Sequence, residues 1–223
     1  MGLECSMTLC DGFKALQILY TIKIELVFYK LNNLMAKNLT GKIINRGTGA
    51  GGSNTNKYGL PYEALTDLHT EYTIHTLDNM PTPHHNIITF NQAPTKWFWS
   101  TRQGGLFKCL KDKVDTSMTP AHGCKNPDEC FINNWDKQII IIEKKFQQTS
   151  GSVCEKIQTS DFKLWQYSRT FPDYQIIYAY CLSDWFRENC KAELEYLTLK
   201  NVPVFWGSSP TYKTDMVNFI LSQ

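Results

Sequence analysis

The 223-residue chain has no C-x-x-C pair, no marked excess of either charge, no internal repeat and no uninterrupted apolar run of membrane-spanning length. Each absence removes a class of protein. The eight cysteines (Cys5, Cys10, Cys109, Cys124, Cys130, Cys154, Cys181, Cys190) follow no regular spacing, so no disulfide framework is readable from them. His122-x-Cys124 with Cys130 offers three zinc-type ligands, but no second cysteine pair completes a tetrahedron. Free thiols in a reduced, intracellular protein are the expectation. The balance of 23 basic against 21 acidic residues, net +2, excludes a binder built on a strongly basic tail. It leaves room for a folded enzyme with a local basic groove. Residues Leu16 to Met35 are apolar-rich, yet Lys23, Glu25 and Lys30 interrupt them, whereas a spanning helix needs about 20 predominantly apolar residues. No membrane association is expected, and no small-residue cleavage site marks a secretory signal.

What is present is enough for a full core. A 42% hydrophobic composition over this length fits one domain better than two. Met35-Ala36-Lys37 offers a second start, and every assignable element lies beyond it. The expectation is therefore an extension over residues 1–34, outside the core or untranslated, and a single domain over residues 35–223.

The most informative stretch is Pro127-Asp128-Glu129, followed by Gln138-Ile139-Ile140-Ile141-Ile142-Glu143-Lys144-Lys145. Four consecutive isoleucines describe a strand buried on both faces. Side chains alternate along a strand, so Glu143 and Lys145 share one face while Lys144 takes the other. Asn133-Asn134-Trp135-Asp136-Lys137 supplies turn chemistry and makes a hairpin. A turn centred on Trp135-Asp136 sets Asp128 across from Glu143, with β-carbons about 5 Å apart. Two carboxylates that close repel each other unless a cation lies between them, and the adjacent lysine can act on water or phosphate. That is the layout of a metal-dependent phosphodiesterase; a solvated strand rim is the bland alternative.

The remaining pattern reads as helix over Tyr58 to Tyr72, with Leu60, Ala64, Leu65 and Leu68 as its apolar stripe and Glu63 projecting from it. Strands follow near Tyr72 to Leu77 and Asn86 to Phe90, then a segment, Ala93 to Gly123, whose pattern is ambiguous. Beyond the hairpin, Ser152 opens a helix reaching Tyr167, with Glu155 completing a capping box. Gln175 to Cys181 is a strand, Asp184 to Leu197 a helix, Val202 to Trp206 a strand and Thr214 to Leu221 a helix. This order gives an α/β fold, a mixed sheet flanked by helices.

Three other motifs compete for function. Gly47-x-Gly49-x-x-Gly52 matches a dinucleotide fingerprint, but Ser53 to Gly59 is a poor helix start. A loop whose amides, with Arg46 or Lys57, approach a DNA backbone is the better account. His84-His85-Asn86 invites an HNH reading, yet no downstream helix supplies the further histidine, and both are expected at the surface. Trp97-Phe98-Trp99 with Lys96, Arg102, Gln103, Lys108, Lys111 and Lys113 interleaves bases with aromatics. Lysines there suit phosphates, and Arg102 or Gln103 suits base edges; a half-buried aromatic cluster is the alternative.

Taken together, Glu63, Pro127-Asp128, Glu143-x-Lys145 and the helix after them resemble the PD-(D/E)XK nuclease fold. Three blocks, Asn45 to Asn56, Lys125 to Glu129, and Glu143 to Gln147 running into Gly151 to Thr159, resemble type II restriction endonucleases of chlorella-type large algal viruses. The resemblance spans roughly Met35 to the C-terminus. It implies a restriction-endonuclease-like core and Mg²⁺-dependent cleavage of double-stranded DNA to 5′-phosphate and 3′-hydroxyl ends. Asp128, Glu143 and the Lys144 main-chain carbonyl would hold the ion, Glu63 would join through water, and Lys145 would serve the attacking water. Lys156 and Gln158 would approach phosphate. The resemblance also implies a homodimer, a cognate DNA methyltransferase and, for a viral enzyme, action inside the infected host cell. Such enzymes more often carry an acidic residue where this chain has Cys154, with Glu155 the neighbouring substitute. A repair or recombination nuclease of the same fold, and a non-catalytic DNA-binding protein, are the alternatives.

Overall fold

The four-isoleucine run lies at the centre of a seven-stranded mixed sheet with helices on both faces. The computed structural model describes residues 59–75, 85–113, 120, 122–148 and 154–223, all within one unit, Gly49–Gln223. In chain order the elements are α1 (Leu60–Leu65), β1 (Tyr72–His75), β2 (His85–Phe90), β3 (Ala93–Thr101), α2 (Gly105–Lys113), β4 (Glu129–Asn133) and β5 (Gln138–Lys145). Then come α3 (Cys154–Ile157), α4 (Ser160–Thr170), β6 (Gln175–Leu182), α5 (Trp185–Asn189), α6 (Lys191–Leu199), β7 (Val204–Trp206) and α7 (Tyr212–Leu221). Strands β1 to β5 form an antiparallel meander; β6 and β7 add in parallel beside β5. The parallel half needs crossovers, which α3–α4 and α5–α6 provide.

Strand β5 is sandwiched. Ile139 and Ile141 face a cluster with Leu106, Tyr167, Phe186 and Leu197, contributed by α2, α4, α5 and α6. Ile140 and Ile142 face the opposite cluster, with Tyr62 from α1 and Met216, Val217 and Ile220 from α7. Burial on both faces is what the unbroken apolar run foretold, and each such side chain contributes about 1.5–3 kcal/mol by leaving water.

Several expectations change. Helix α1 is six residues long, and its buried residue is Tyr62; of the expected stripe Leu60, Ala64 and Leu65 are exposed, and Leu68, beyond the helix, is in the core. The chain turns out of the helix at Thr66, whose hydroxyl donates to the Tyr62 carbonyl at 2.7 Å. Tyr62 and Thr66 lie directly on Gly207, where a β-carbon would overlap both side chains. His85 is buried in the sheet, its ring 5.6 Å from Trp99, and is not the surface residue expected. The ambiguous segment after Ala93 is strand β3 followed by α2, and Phe98 is core while the Trp97 ring lies tilted against His75, 4.5 Å between centroids. The expected helix from Asp184 is two helices, broken at Cys190. Ser152, the Gly47–Gly52 motif, His84 and the proposed boundary at Met35 lie outside the described residues.

The thiols are not all free. Cys154 at the start of α3 is bridged to Cys190 at the α5–α6 junction, while Cys124, Cys130 and Cys181 keep free thiols. The two sulfurs come from positions 36 residues apart, a pairing no local spacing announces. The bridge removes the cysteine pattern as an argument for a reducing compartment. Among the described residues no helix is long and apolar enough to cross a membrane. Closing a loop of this length contributes about 3–4 kcal/mol on the chain-entropy account. Cys190→Ser should therefore lower the urea midpoint and steepen the slope, since the unbridged denatured chain exposes more surface, and an unaltered midpoint would show the bridge to be energetically idle.

Candidate active site

The site forms where β4 begins and β5 ends. Glu129 pairs with Ile142 and Asn133 with Gln138, the alignment expected from a turn centred on Trp135-Asp136. Asn133 fixes that turn, its side-chain oxygen accepting the Trp135 and Asp136 N–H groups at 3.1 Å each. One step further along the same register, Asp128 stands opposite Glu143.

Lys145 joins them. Its Nζ lies 2.6 Å from Glu143 Oε1 and 3.2 Å from Asp128 Oδ2, and donates to the Lys144 carbonyl at 3.0 Å. Asp128 Oδ2 also accepts the Lys144 N–H at 2.7 Å. Asp128 Oδ2, Glu143 Oε1 and the Lys144 carbonyl oxygen thus converge on a single ammonium group. Three such oxygens, two of them carboxylate, form a donor set that could hold a hard divalent cation.

Burial drives Asp128 above its usual carboxylate range, with Glu143 repelling it and Lys145 only partly offsetting the rise. Burial also works against the charge on Glu143, but the Lys145 and Lys163 ammonium groups outweigh it and hold that carboxyl below its usual range. Partial burial works against the charge on Lys145, but Glu143 and Asp128 hold it well above an ordinary lysine. So long as both carboxylates face it, Lys145 is a proton donor and a charge, not a base. Glu63 is half-buried on α1, and burial together with the Asp128 charge raises it. The Lys145 and Lys144 charges work against that rise, and Glu143 adds to it.

Two features escaped the sequence reading. Lys163 on α4 reaches Glu143 Oε1 at 2.7 Å, a contact made from 20 residues downstream. On the opposite face of β5, Lys144 points inward and pairs with Glu129 at 2.8 Å, with side chains 3% and 1% exposed. Lys144 Nζ also donates to the carbonyls of Glu63 and Thr66, at 3.3 and 3.2 Å, and Glu129 Oε1 accepts the Leu68 N–H at 3.4 Å. The same buried pair therefore ties α1, and with it Glu63, to the two strands bearing Asp128 and Glu143. Strand alternation anticipated that Lys144 faces away from Glu143, but not what it meets there.

The expected DNA-contacting residues divide. Gln103 has a left-handed backbone (φ 47°), and its N–H donates to the Pro127 carbonyl at 2.7 Å, so the Arg102–Gly104 loop borders the site. Arg102 is engaged by the buried Asp67 carboxylate at 2.5 Å, with half its side chain exposed. Lys156 is exposed on α3, and Gln158 donates to Glu193 on α6 at 3.0 Å. Lys96 is drawn to the carbonyls of Leu221 and Gln223. Arg46 and Lys57 lie outside the described residues. Cys154 has its sulfur committed to Cys190.

No protein-family model, no curated protein and no solved structure matches this chain.

Proposed function

We propose that the protein is a Mg²⁺-dependent endonuclease with a restriction-endonuclease-like core, hydrolysing phosphodiester bonds of double-stranded DNA. The observation that carries this reading is the meeting of Asp128, Glu143 and the Lys144 carbonyl on one cationic position, with Lys145 already there. Asp128, Glu143 and the Lys144 carbonyl would hold the ion, and Glu63 would reach it through water. The bound ion supplies a more acidic water and neutralises phosphate charge.

The protein's own groups do the rest. Asp128, held just before β4 by the Lys144 N–H, and Glu143 on β5 aim their oxygens at one point, which Lys145 would vacate for the ion. Lys145 orients the attacking water and stabilises the charge that builds on the phosphorus-bound oxygens. The water oxygen bonds to phosphorus as the bond from phosphorus to the 3′-oxygen breaks; the attacking water releases one proton to solvent and the departing 3′-oxygen takes one up from solvent water, leaving 5′-phosphate and 3′-hydroxyl ends. The Arg102–Gly104 loop beside Pro127, with Lys156 at the next helix, supplies groups for the flanking duplex. Sequence-specific cutting of both strands at a symmetric site calls for a homodimer and for a methyltransferase of matching specificity to protect resident DNA.

Purified protein incubated with unmethylated phage DNA and Mg²⁺ should give discrete fragments whose sequenced ends share one short motif. Ends without a common motif would redirect the reading to a repair or recombination nuclease. Retarded but uncut DNA would leave a non-catalytic binding protein.

A further inference from the structure

We propose that Lys163 is a positioning residue of this site, keeping Glu143 aimed while Lys145 yields its place among the oxygens to a divalent cation. The inference rests on the hydrolytic reading and assigns different tasks to two ammonium groups that share one carboxylate oxygen. Lys145 touches all three prospective ligand oxygens, at 2.6, 3.2 and 3.0 Å from Glu143, Asp128 and the Lys144 carbonyl. An ammonium and a dication cannot occupy the same point among these oxygens, since each would need all three at bonding distance. Lys145 is the group able to withdraw, being at the end of its strand on a flexible four-carbon stem.

Lys163 is placed differently. Of the three oxygens it contacts Glu143 Oε1, at 2.7 Å. It arrives on α4, a separate element anchored to the segment that leads into Asp128. Tyr167, one turn along, donates its hydroxyl to the Lys125 carbonyl at 2.7 Å, and Gln166 Nε2 donates to the His122 carbonyl at 3.0 Å. The Lys163 ammonium also lies 6.0 Å from the Tyr178 ring centroid, on the sheet side of the helix. With the helix fixed at both Lys125 and His122, Lys163 remains on Glu143 after Lys145 has moved. Outer partners of this kind orient ligand carboxylates, and their loss costs about 10–100-fold in activity or metal affinity.

Amine acylation read by mass spectrometry separates the two lysines without relying on turnover. Replacing chelator by Ca²⁺ should raise labelling of Lys145 severalfold and leave that of Lys163 within about twofold. In Mg²⁺, Lys163→Met should lower kcat about 10–100-fold with KM little changed, and Lys163→Arg should restore most of it. Ca²⁺-dependent exposure of Lys163 equal to that of Lys145, or full kcat in a folded Lys163→Met protein, would overturn the assignment. Failure of the wild-type protein to cut DNA or to bind Ca²⁺ would instead sink the hydrolytic reading beneath it.

Discussion

Lys145→Ala is expected to lower DNA cleavage by at least about 10²–10³-fold, the loss typical when one preorganised charge facing the transition state is removed. Duplex binding in Ca²⁺ should remain within a few-fold of wild type. The two halves of this expectation follow from one arrangement. Lys145 makes ion pairs with Glu143 and Asp128 at 2.6 and 3.2 Å, and its loss leaves those two acids facing each other with Lys163 alone on Glu143. A divalent ion can fill the vacated position, so the ligands survive while the donor to water and phosphate is gone. Equal loss of binding and cleavage would mean that the substitution had unfolded the site.

The second large effect is on stability. Lys144→Met should destabilise the protein by about 3–5 kcal/mol, because it strands the Glu129 carboxylate in the core without its counter-charge. It also removes the donor to the Glu63 and Thr66 carbonyls at the end of α1. Since domains of this kind are stable by only about 5–15 kcal/mol in total, the loss should show clearly in denaturant melts. The double variant Lys144→Met/Glu129→Leu should recover part of it, since replacing both ions removes the uncompensated charge. Recovery should be incomplete, because the two carbonyls and the Leu68 N–H still lose their partners. A midpoint for Lys144→Met equal to wild type would show that the pair is not what holds α1 in place.

How much of this could be read beforehand depended on how local the determining interaction was. The hairpin register was legible because Asn133 and the residues after it carry turn chemistry, and because one residue of slip would have turned every side chain to the wrong face. The isoleucine run was legible because burial on both faces leaves no polar position. Lys163 and the Cys154–Cys190 bridge were not, since each depends on how the α3–α4 and α5–α6 crossovers pack beside β5. Neither is encoded in spacing. The expected length of α1 failed for a related reason: periodicity continued to Leu68, but the chain leaves the helix at Thr66, and Leu68 joins the core from a loop whose N–H is bonded to Glu129. The helix expected from Asp184 was interrupted at Cys190, the residue that forms the bridge.

The central claim is that two carboxylates and one main-chain carbonyl hold a divalent cation in the position Lys145 takes in this structure. Anomalous diffraction from crystals soaked in Mn²⁺ tests it most directly. The account predicts a peak within bonding distance of Asp128, Glu143 and the Lys144 carbonyl, with the Lys145 ammonium displaced from them. A fully soaked crystal with no peak there, or with the ion bound elsewhere and Lys145 unmoved, would contradict it.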